Sequence, residues 1–253
     1  MSFLSSSLFY SVLLFAGILL MDTLGCRLRA KKNTLEQNAL GAMEGALLGL
    51  LGLLLAFTFN LSAIRYDTRR QAIVEEANAI GTAILRTDLY ADSLKPFFKK
   101  EFANYVNARI AYYNAGNDES KIHEALGLSS SISQGIWNKV ALLSHDKENF
   151  LSSSQMIPAL NSVIDWVSTR DEARLAHVPH SIIYLLFVLC LSSGFIIGYG
   201  RANQKSNWIL VFCFSLMISI TVYLILDLDQ PRSGLITMDA THLKMKDLLL
   251  MLK

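Results

Sequence analysis

Aromatic, amide and arginine side chains follow one another along one stretch of the chain. Their spacing could form an ion pathway with positive charge at its mouth. The candidates for its neck and its mouth are Phe57, Phe59, Asn60, Arg65, Arg69 and Arg70. Aromatic side chains around an axis make an apolar constriction that can gate by dewetting, and arginines at its mouth favour anions. Alternatively, the phenylalanines face lipid and the arginines mark the membrane interface. The sequence leaves both interpretations open.

A second polar set could form a buried network of charges. Two adjacent acids, an amide and an arginine recur on two stripes of the helical stretch that follows Arg65, and two aspartates follow the last apolar run. We predict a network of these residues with arginines elsewhere in the assembly. Its predicted members are Glu75, Glu76, Asn78, Arg86, Asp227 and Asp229. The alternatives are a solvated helix with weak ion pairs and, for the aspartates, helix termination at Pro231 with pairing to arginines near Arg65.

Residue types that carry catalysis or bind metals are present, but not in a functional spacing. His177 and His180 flank Pro179 without a third ligand at matching spacing. The three cysteines lie in or beside apolar runs and form no CxxC pair. No nucleophile-elbow, HExxH, P-loop or dinucleotide-binding motif occurs. We therefore expect no enzyme activity, no cofactor and no metal site.

The element that must position the pathway residues and four of the six network residues runs from Ala39 to Arg86. Its first part is apolar and long enough to cross a bilayer, and its second part is charged. No proline occurs between Ala39 and Leu94, so nothing forces the helix to end at the membrane surface. The sequence predicts one continuous helix that leaves the bilayer and enters water.

Small residues form one stripe along the apolar part of this helix. They stand at steps of four, four, three and four residues and are Gly41, Gly45, Gly49, Gly52 and Ala56. Such a stripe lets another helix approach closely, because no side chain holds it off. One interpretation is tight packing within a single subunit. The other is a subunit interface or a pore-lining helix.

The composition indicates a membrane protein with an embedded soluble region. Of the 253 residues, 52% are hydrophobic and 17% are charged, and the net charge of +2 is too small to suggest a nucleic-acid partner. Apolar runs predict four membrane helices, and no alternating run of strand length appears, so the predicted class is all-α. The predicted spans are residues 3–21, 39–64, 180–199 and 207–226. The predicted segments are a first transmembrane hairpin (1–64), a helical soluble domain (65–178), a second hairpin (179–227) and a C-terminal tail (228–253).

Positive charge in the short loop within each predicted hairpin bears on the orientation of the chain in the membrane. The loop charges are Arg27, Arg29, Lys31, Lys32, Arg201 and Lys205. The positive-inside rule places these loops in the cytoplasm and the soluble domain outside. Arginines also crowd the other surface, where Arg170 and Arg174 stand before the third span. The charge count therefore leans toward an external domain without deciding the side.

Three segments together resemble a known family. They are LLGLLLAFTFNLSAIRYDTRRQAIVEEANAIGTAILRTDL, PALNSVIDWVSTRDEARLAHVP and YLILDLDQPRSGLI. From its second span onward the chain is thereby similar to the bacterial bestrophin-like domain family of four-span membrane proteins. The family name implies a likeness to bestrophins, which are pentameric anion channels whose second span lines a pore with an aromatic and aliphatic neck.

The resemblance implies a homo-oligomer, a pentamer by analogy, in the cytoplasmic membrane of a bacterium. We expect a bestrophin-like channel that conducts small inorganic ions, anions in the first place, through an axial pore lined by the second span. By the same analogy Phe57 and Phe59 form the neck, and Arg65 and Arg69 the mouth. Bestrophins keep their large domain in the cytoplasm, whereas the charge count here leans the other way. The alternative function is a non-conducting membrane sensor or scaffold whose soluble helical domain binds a partner.

Overall fold

The computed structural model of the chain is helical throughout its main elements and describes residues 4–30, 38–201, 208–230 and 234–252. The α-helices are α1 (Leu4–Ala30), α2 (Asn38–Arg86), α3 (Lys95–Asn114), α4 (Glu119–Leu143), α5 (Phe150–Leu175), α6 (His180–Arg201), α7 (Trp208–Leu228) and α8 (Asp239–Asp247). Short 3₁₀ helices occupy Thr87–Leu89 and Leu248–Leu250. No strand occurs in the described ranges, and the predicted all-α class is confirmed. The residues Lys31, Lys32, Lys205 and Pro231, used above for orientation and helix termination, lie outside the described residues.

Four helical stretches are long and apolar enough to cross a membrane, in agreement with the predicted number of spans. They are Ser7–Ala30, Gly41–Leu89, Phe150–Arg201 and Trp208–Leu228. The second stretch belongs to α2, which continues without a break for 49 residues because no proline interrupts it. The apolar stretch and the charged stretch predicted for this helix are therefore parts of one element.

The chain divides into two compact units. The first comprises Met1–Tyr66 and His177–Ile236, and the second comprises Asp67–Ala176 and Thr237–Lys253. The division falls within α2. We call the part of α2 up to Tyr66 its apolar half and the part from Asp67 to Arg86 its charged half.

In the first unit, α1 packs along α6 and against α7. Its core includes Leu14, Ile18, Leu186, Val222 and Ile225. Glycines bring α1 and α6 together backbone to backbone. A Cβ atom on Gly198 would lie 1.9 Å from the carbonyl oxygen of Asp22, and one on Gly25 would lie 2.2 Å from that of Phe195. The same helix pair is joined by Arg201, whose Nη2 donates to the Asp22 carboxylate at 2.7 Å.

In the second unit, α3, α4 and α5 pack in succession and α8 returns onto α3. The core combines the charged half of α2 with these helices and includes Ile80, Ala83, Phe98, Phe102, Tyr105, Ile136, Val140, Met156, Leu160 and Met245. Asp118 caps α4, since its carboxylate accepts a hydrogen bond from the backbone N–H of Lys121 at 3.2 Å. This packing encloses one side of the charged half of α2 and with it Glu76.

Candidate functional sites along α2

The predicted neck residues lie on the exposed side of the apolar half of α2. Phe57 is 56% exposed and Phe59 is 41% exposed, and Asn60 is exposed beside them. The buried side of the same half carries Thr58 and Ser62, which stand one helical turn apart. An amide on a membrane-length helix is costly to present to lipid. This face therefore suits water or another protein surface better than hydrocarbon.

The small-residue stripe also lies on the open side of the apolar half. A Cβ atom on Gly41, Gly45, Gly49 or Gly52 would find no atom of another element within 4 Å in the described chain, and Ala56 is exposed. The most apolar window of this stretch is 17% buried, which is the lowest value among the four candidate spans. Packing within the described chain therefore leaves the stripe uncovered.

The three predicted mouth arginines have different surroundings. Arg65 is half-buried, and its Nε is buried without a hydrogen-bond partner among the described residues. Arg69 is 3% exposed and donates to the carbonyl oxygens of Ala173 at 3.1 Å and Ala176 at 2.7 Å. Arg70 is exposed. Arg69 thus satisfies carbonyl groups at the C-terminal end of α5, while Arg70 forms an exposed ion pair with Asp67 at 3.5 Å.

Glu76 is the centre of a buried group of charges in the second unit. Its carboxylate is fully buried and accepts hydrogen bonds from Arg109 of α3 and Arg170 of α5. Both guanidinium groups lie over the ring of Tyr112, with their Cζ atoms 4.4 Å and 5.2 Å from its centroid. We call Glu76, Arg109, Arg170 and Tyr112 the Glu76 cluster.

Opposing effects set the ionisation of the Glu76 cluster. Burial by itself raises the pKa of the Glu76 carboxyl, but the charges and hydrogen bonds of Arg170 and Arg109 outweigh it and lower that pKa. Burial likewise lowers the pKa of Arg109, and the charge of Glu76 raises it to a net increase. Both groups are therefore ionised at neutral pH, and Arg170 is charged as arginines in proteins are.

The family model of the Bestrophin-like domain matches residues 9–242 of the chain. The protein belongs to the Bestrophin-like family. Its structure is similar to the crystal structure of a mutant of a bacterial Bestrophin homolog from Klebsiella pneumoniae, with a TM-score of 0.70 and 12% sequence identity over 98% of this chain and 99% of that one. No curated protein sequence matches the chain. The predicted family is thus confirmed, and the chain is a multi-pass membrane protein with a bestrophin-type fold.

In this Bestrophin-like chain, the other predicted network residues have different surroundings. Glu75 is half-buried, Asn78 is exposed, and Arg86 donates to the backbone carbonyl of Gln155. Asp227 and Asp229 belong to the first unit. Of the six predicted members, the structure therefore brings only Glu76 into the buried charge cluster.

Asp227 and Asp229 organise the backbone near the end of α7. The carboxylate of Asp227 accepts hydrogen bonds from the backbone N–H groups of Leu235 and Ile236 at 3.0–3.2 Å. Gly234 has a φ of 121°, and a Cβ atom there would lie 2.1 Å from Asp227 Oδ1, so only glycine fits. Asp229 accepts from the backbone N–H of Val178 at 3.0 Å. Over the described residues, no three histidine, cysteine, aspartate or glutamate side chains come together as a metal site.

Sequence reasoning missed Arg109 and Arg170 as partners of Glu76. Arg109 stands four residues after Tyr105 and three before Tyr112, on the buried face of α3. A charged residue at a core position of an amphipathic helix needs an opposite charge. The position of Arg109 among the core residues of α3 could therefore have predicted an acidic partner. The close contact of α1 with α6 could also have been predicted, since Gly194 and Gly198 form a GxxxG motif in the third span.

Proposed function

We propose that this Bestrophin-like protein is a homo-oligomeric membrane channel that conducts anions through an axial pore lined by the apolar half of α2. The observation that carries the proposal is the open stripe, since a Cβ atom on Gly41, Gly45, Gly49 or Gly52 would meet nothing within 4 Å in the described part of the chain. Further copies of the chain around an axis would cover this stripe, because small residues permit close approach of helices. Five copies is the number suggested by analogy with bestrophins.

The neck of the proposed pore continues the stripe. Phe59 and Asn60 follow Ala56 by three and four residues, so they lie on the same face of α2. Their exposure, together with that of Phe57, leaves these side chains available to line an axis. Aromatic rings there would form an apolar constriction, and the positive charge of Arg65 beyond it would favour anions.

We assign the channel to the cytoplasmic membrane of a bacterium, on the resemblance to a bacterial family. The orientation proposal rests on the lysines and arginines of the two short loops. Arg201 is paired with Asp22 at 2.7 Å, but acidic residues weigh little in the positive-inside rule, so Arg201 still counts. Arg29 keeps its charge, because its Nη1 donates to the backbone carbonyl of Tyr199 at 3.1 Å, and Arg27 stands beside it. These charges favour a cytoplasmic loop and an external second unit.

Halide and cation flux into liposomes that hold the purified protein tests this function. We expect wild type to pass halides in preference to cations. Phe57→Ala should increase the flux, because it widens the apolar neck, and Arg65→Glu should abolish the anion preference, because it reverses the charge at the mouth.

Phe150→Ala is the matched control for the neck variant, since Phe150 is an exposed phenylalanine of the second unit. It should leave flux and selectivity unchanged. Absence of flux from wild type and from both pore variants, with the protein folded and oligomeric, would reject the channel. That result would favour the sensor or scaffold function instead.

A further inference from the structure

The C-terminal segment Asp239–Leu250, which comprises α8 and the 3₁₀ turn after it, is held on the second unit by one face. The buried side chains of this face are His242, Met245 and Leu248, which are 2%, 0% and 7% exposed. Met245 and Leu248 belong to the core of the second unit. A Cβ atom on Gly81 of α2 would lie 3.4 Å from Leu248 Cδ2. The segment therefore packs on α3 and covers the side of α2 at Gly81.

The imidazole of His242 is the polar member of this buried face. It stacks on the ring of Tyr113, the group that α3 presents to it, with centroids 3.9 Å apart and planes 15° from parallel. The Tyr113 hydroxyl donates to the Asp239 carboxylate at 2.9 Å, so α3 also holds the first turn of α8. Neither ring nitrogen of His242 has a hydrogen-bond partner in the described part of the chain. Stacking and apolar packing therefore hold the ring in place.

The charged groups that act on His242 come from three helices. The positive charges are Arg170 of α5 and Lys246 of α8. The negative charges are Glu76 of α2 and Asp239 of α8. Both carboxylates already accept hydrogen bonds from other side chains. Neither accepts one from His242, so no carboxylate among the described residues is bound to the ring as a counter-ion.

Protonation of His242 would place a positive charge and a second N–H donor in this site. An imidazolium has two donors and no acceptor, and a buried charge without a partner is strongly unfavourable. Burial, followed by the charges of Arg170 and Lys246, accordingly lowers the pKa of His242 from 6.5 to about 4. A histidine in water keeps a pKa near 6.5. The packed segment therefore holds the neutral ring, whereas a segment released into water binds a proton more readily.

We propose that the segment Asp239–Leu250 is an acid-sensitive latch, which packs on the second unit while His242 is neutral and is released when His242 takes up a proton. Release would expose Met245, Leu248 and the side of α2 at Gly81. The rest of the second unit would stay folded, because most of its buried core comes from α2, α3, α4 and α5. The proposal does not depend on conduction, since none of these residues is a neck or mouth candidate.

The test is hydrogen exchange of the purified full-length protein in detergent at pH 7.5, 6.5 and 5.5, measured for each peptide by mass spectrometry. The quantity compared is the protection factor, the intrinsic exchange rate at each pH divided by the measured rate. Between pH 7.5 and 5.5, proton uptake with a pKa of about 6.5 increases the released fraction about tenfold. We expect the protection of Asp239–Leu250 to fall by this factor and the protection of α4 to stay unchanged.

His242→Leu should remove this pH dependence, whatever the protection of the segment at pH 7.5, because leucine does not titrate. His123→Leu is the matched control, since it replaces an exposed histidine of α4 and should keep the tenfold fall. An equal fall in the segment and in α4 would show a general loosening of the second unit and would overturn the proposal. A wild-type segment whose protection does not change with pH, or a fall that survives in His242→Leu, would also overturn it, whether or not the protein conducts halides.

Discussion

The two halves of α2 share one unbroken helix but differ in what covers them. The charged half carries Glu76 into the core of the second unit, between arginines of α3 and α5. The apolar half leaves its glycine stripe without a neighbouring element in the described chain. A charged side chain is thus fully enclosed by the chain itself, while the glycines of the apolar half stay open among the described residues.

This difference indicates which partner each half of α2 requires. Burial of Glu76 is stable because two arginines from the same chain compensate its charge. In the described ranges the open stripe has no neighbouring element, whereas glycines elsewhere in the first unit do. Gly198 and Gly25 are covered so closely that no side chain could be added at either position. Among the described residues, the glycine stripe of the apolar half therefore lies open, as the oligomer proposed above requires.

The largest effect is expected from Glu76→Gln. It tests whether arginines of the same chain stabilise the buried charge of the charged half. The change leaves two buried arginines without their counter-charge and should lower the free energy of unfolding of the second unit by about 3–5 kcal/mol. Denaturant unfolding in detergent, followed by tryptophan fluorescence, would measure it. A Trp208→Phe background confines that signal to Trp137 and Trp166, which pack on the core of the second unit.

Glu75→Gln is the matched control, because Glu75 is the adjacent acid and is only half-buried. It should change the free energy of unfolding by no more than about 0.5 kcal/mol. Equal losses from the two substitutions would contradict the view that burial between arginines distinguishes Glu76 from its neighbour.

A smaller effect is expected from acid, acting through His242 beside the Glu76 cluster. Burial, followed by the positive charges of Arg170 and Lys246, lowers the pKa of His242 from 6.5 to about 4. The carboxylates of Glu76 and Asp239 oppose this shift. Between pH 6.5 and about 4 the unfolded chain binds a proton that the folded chain does not. This contribution to stability is therefore complete above pH 6.5 and is lost as the pH falls toward 4.

Unfolding measured from pH 7.5 to 4 at constant chloride checks the sign of this effect. His242→Leu should show a shallower loss of stability in that window than wild type, whatever its stability at pH 7.5. His123→Leu, which replaces an exposed histidine of α4, should keep the wild-type slope. If all three proteins lost stability equally as the pH fell, the account of His242 would be wrong.

The sequence was a good guide to local structure and a poorer guide to partners. The continuity of α2 follows from the absence of proline, and the small-residue stripe follows from spacing alone, so both could be predicted. Glu76 was singled out as a network residue, yet its partners stand 33 and 94 residues away, and no local pattern identifies such pairs. Arg69 was predicted at a pore mouth from its position after an apolar run, but only the tertiary structure shows it bound to carbonyl groups of α5.

The central claim is that further copies of the chain cover the open stripe of α2. Its most direct test is the oligomeric mass of the purified protein in mild detergent, measured by light scattering for wild type and for Gly49→Leu. A Cβ atom at Gly49 meets nothing within 4 Å among the described residues, so the leucine variant should fold, but it would hold neighbouring copies apart. We predict an oligomer for wild type, dissociation for Gly49→Leu with unchanged helix content, and the wild-type mass for Gly135→Leu, whose glycine is equally open on α4. A monomeric wild type, or a Gly49→Leu variant with the wild-type mass, would contradict the claim.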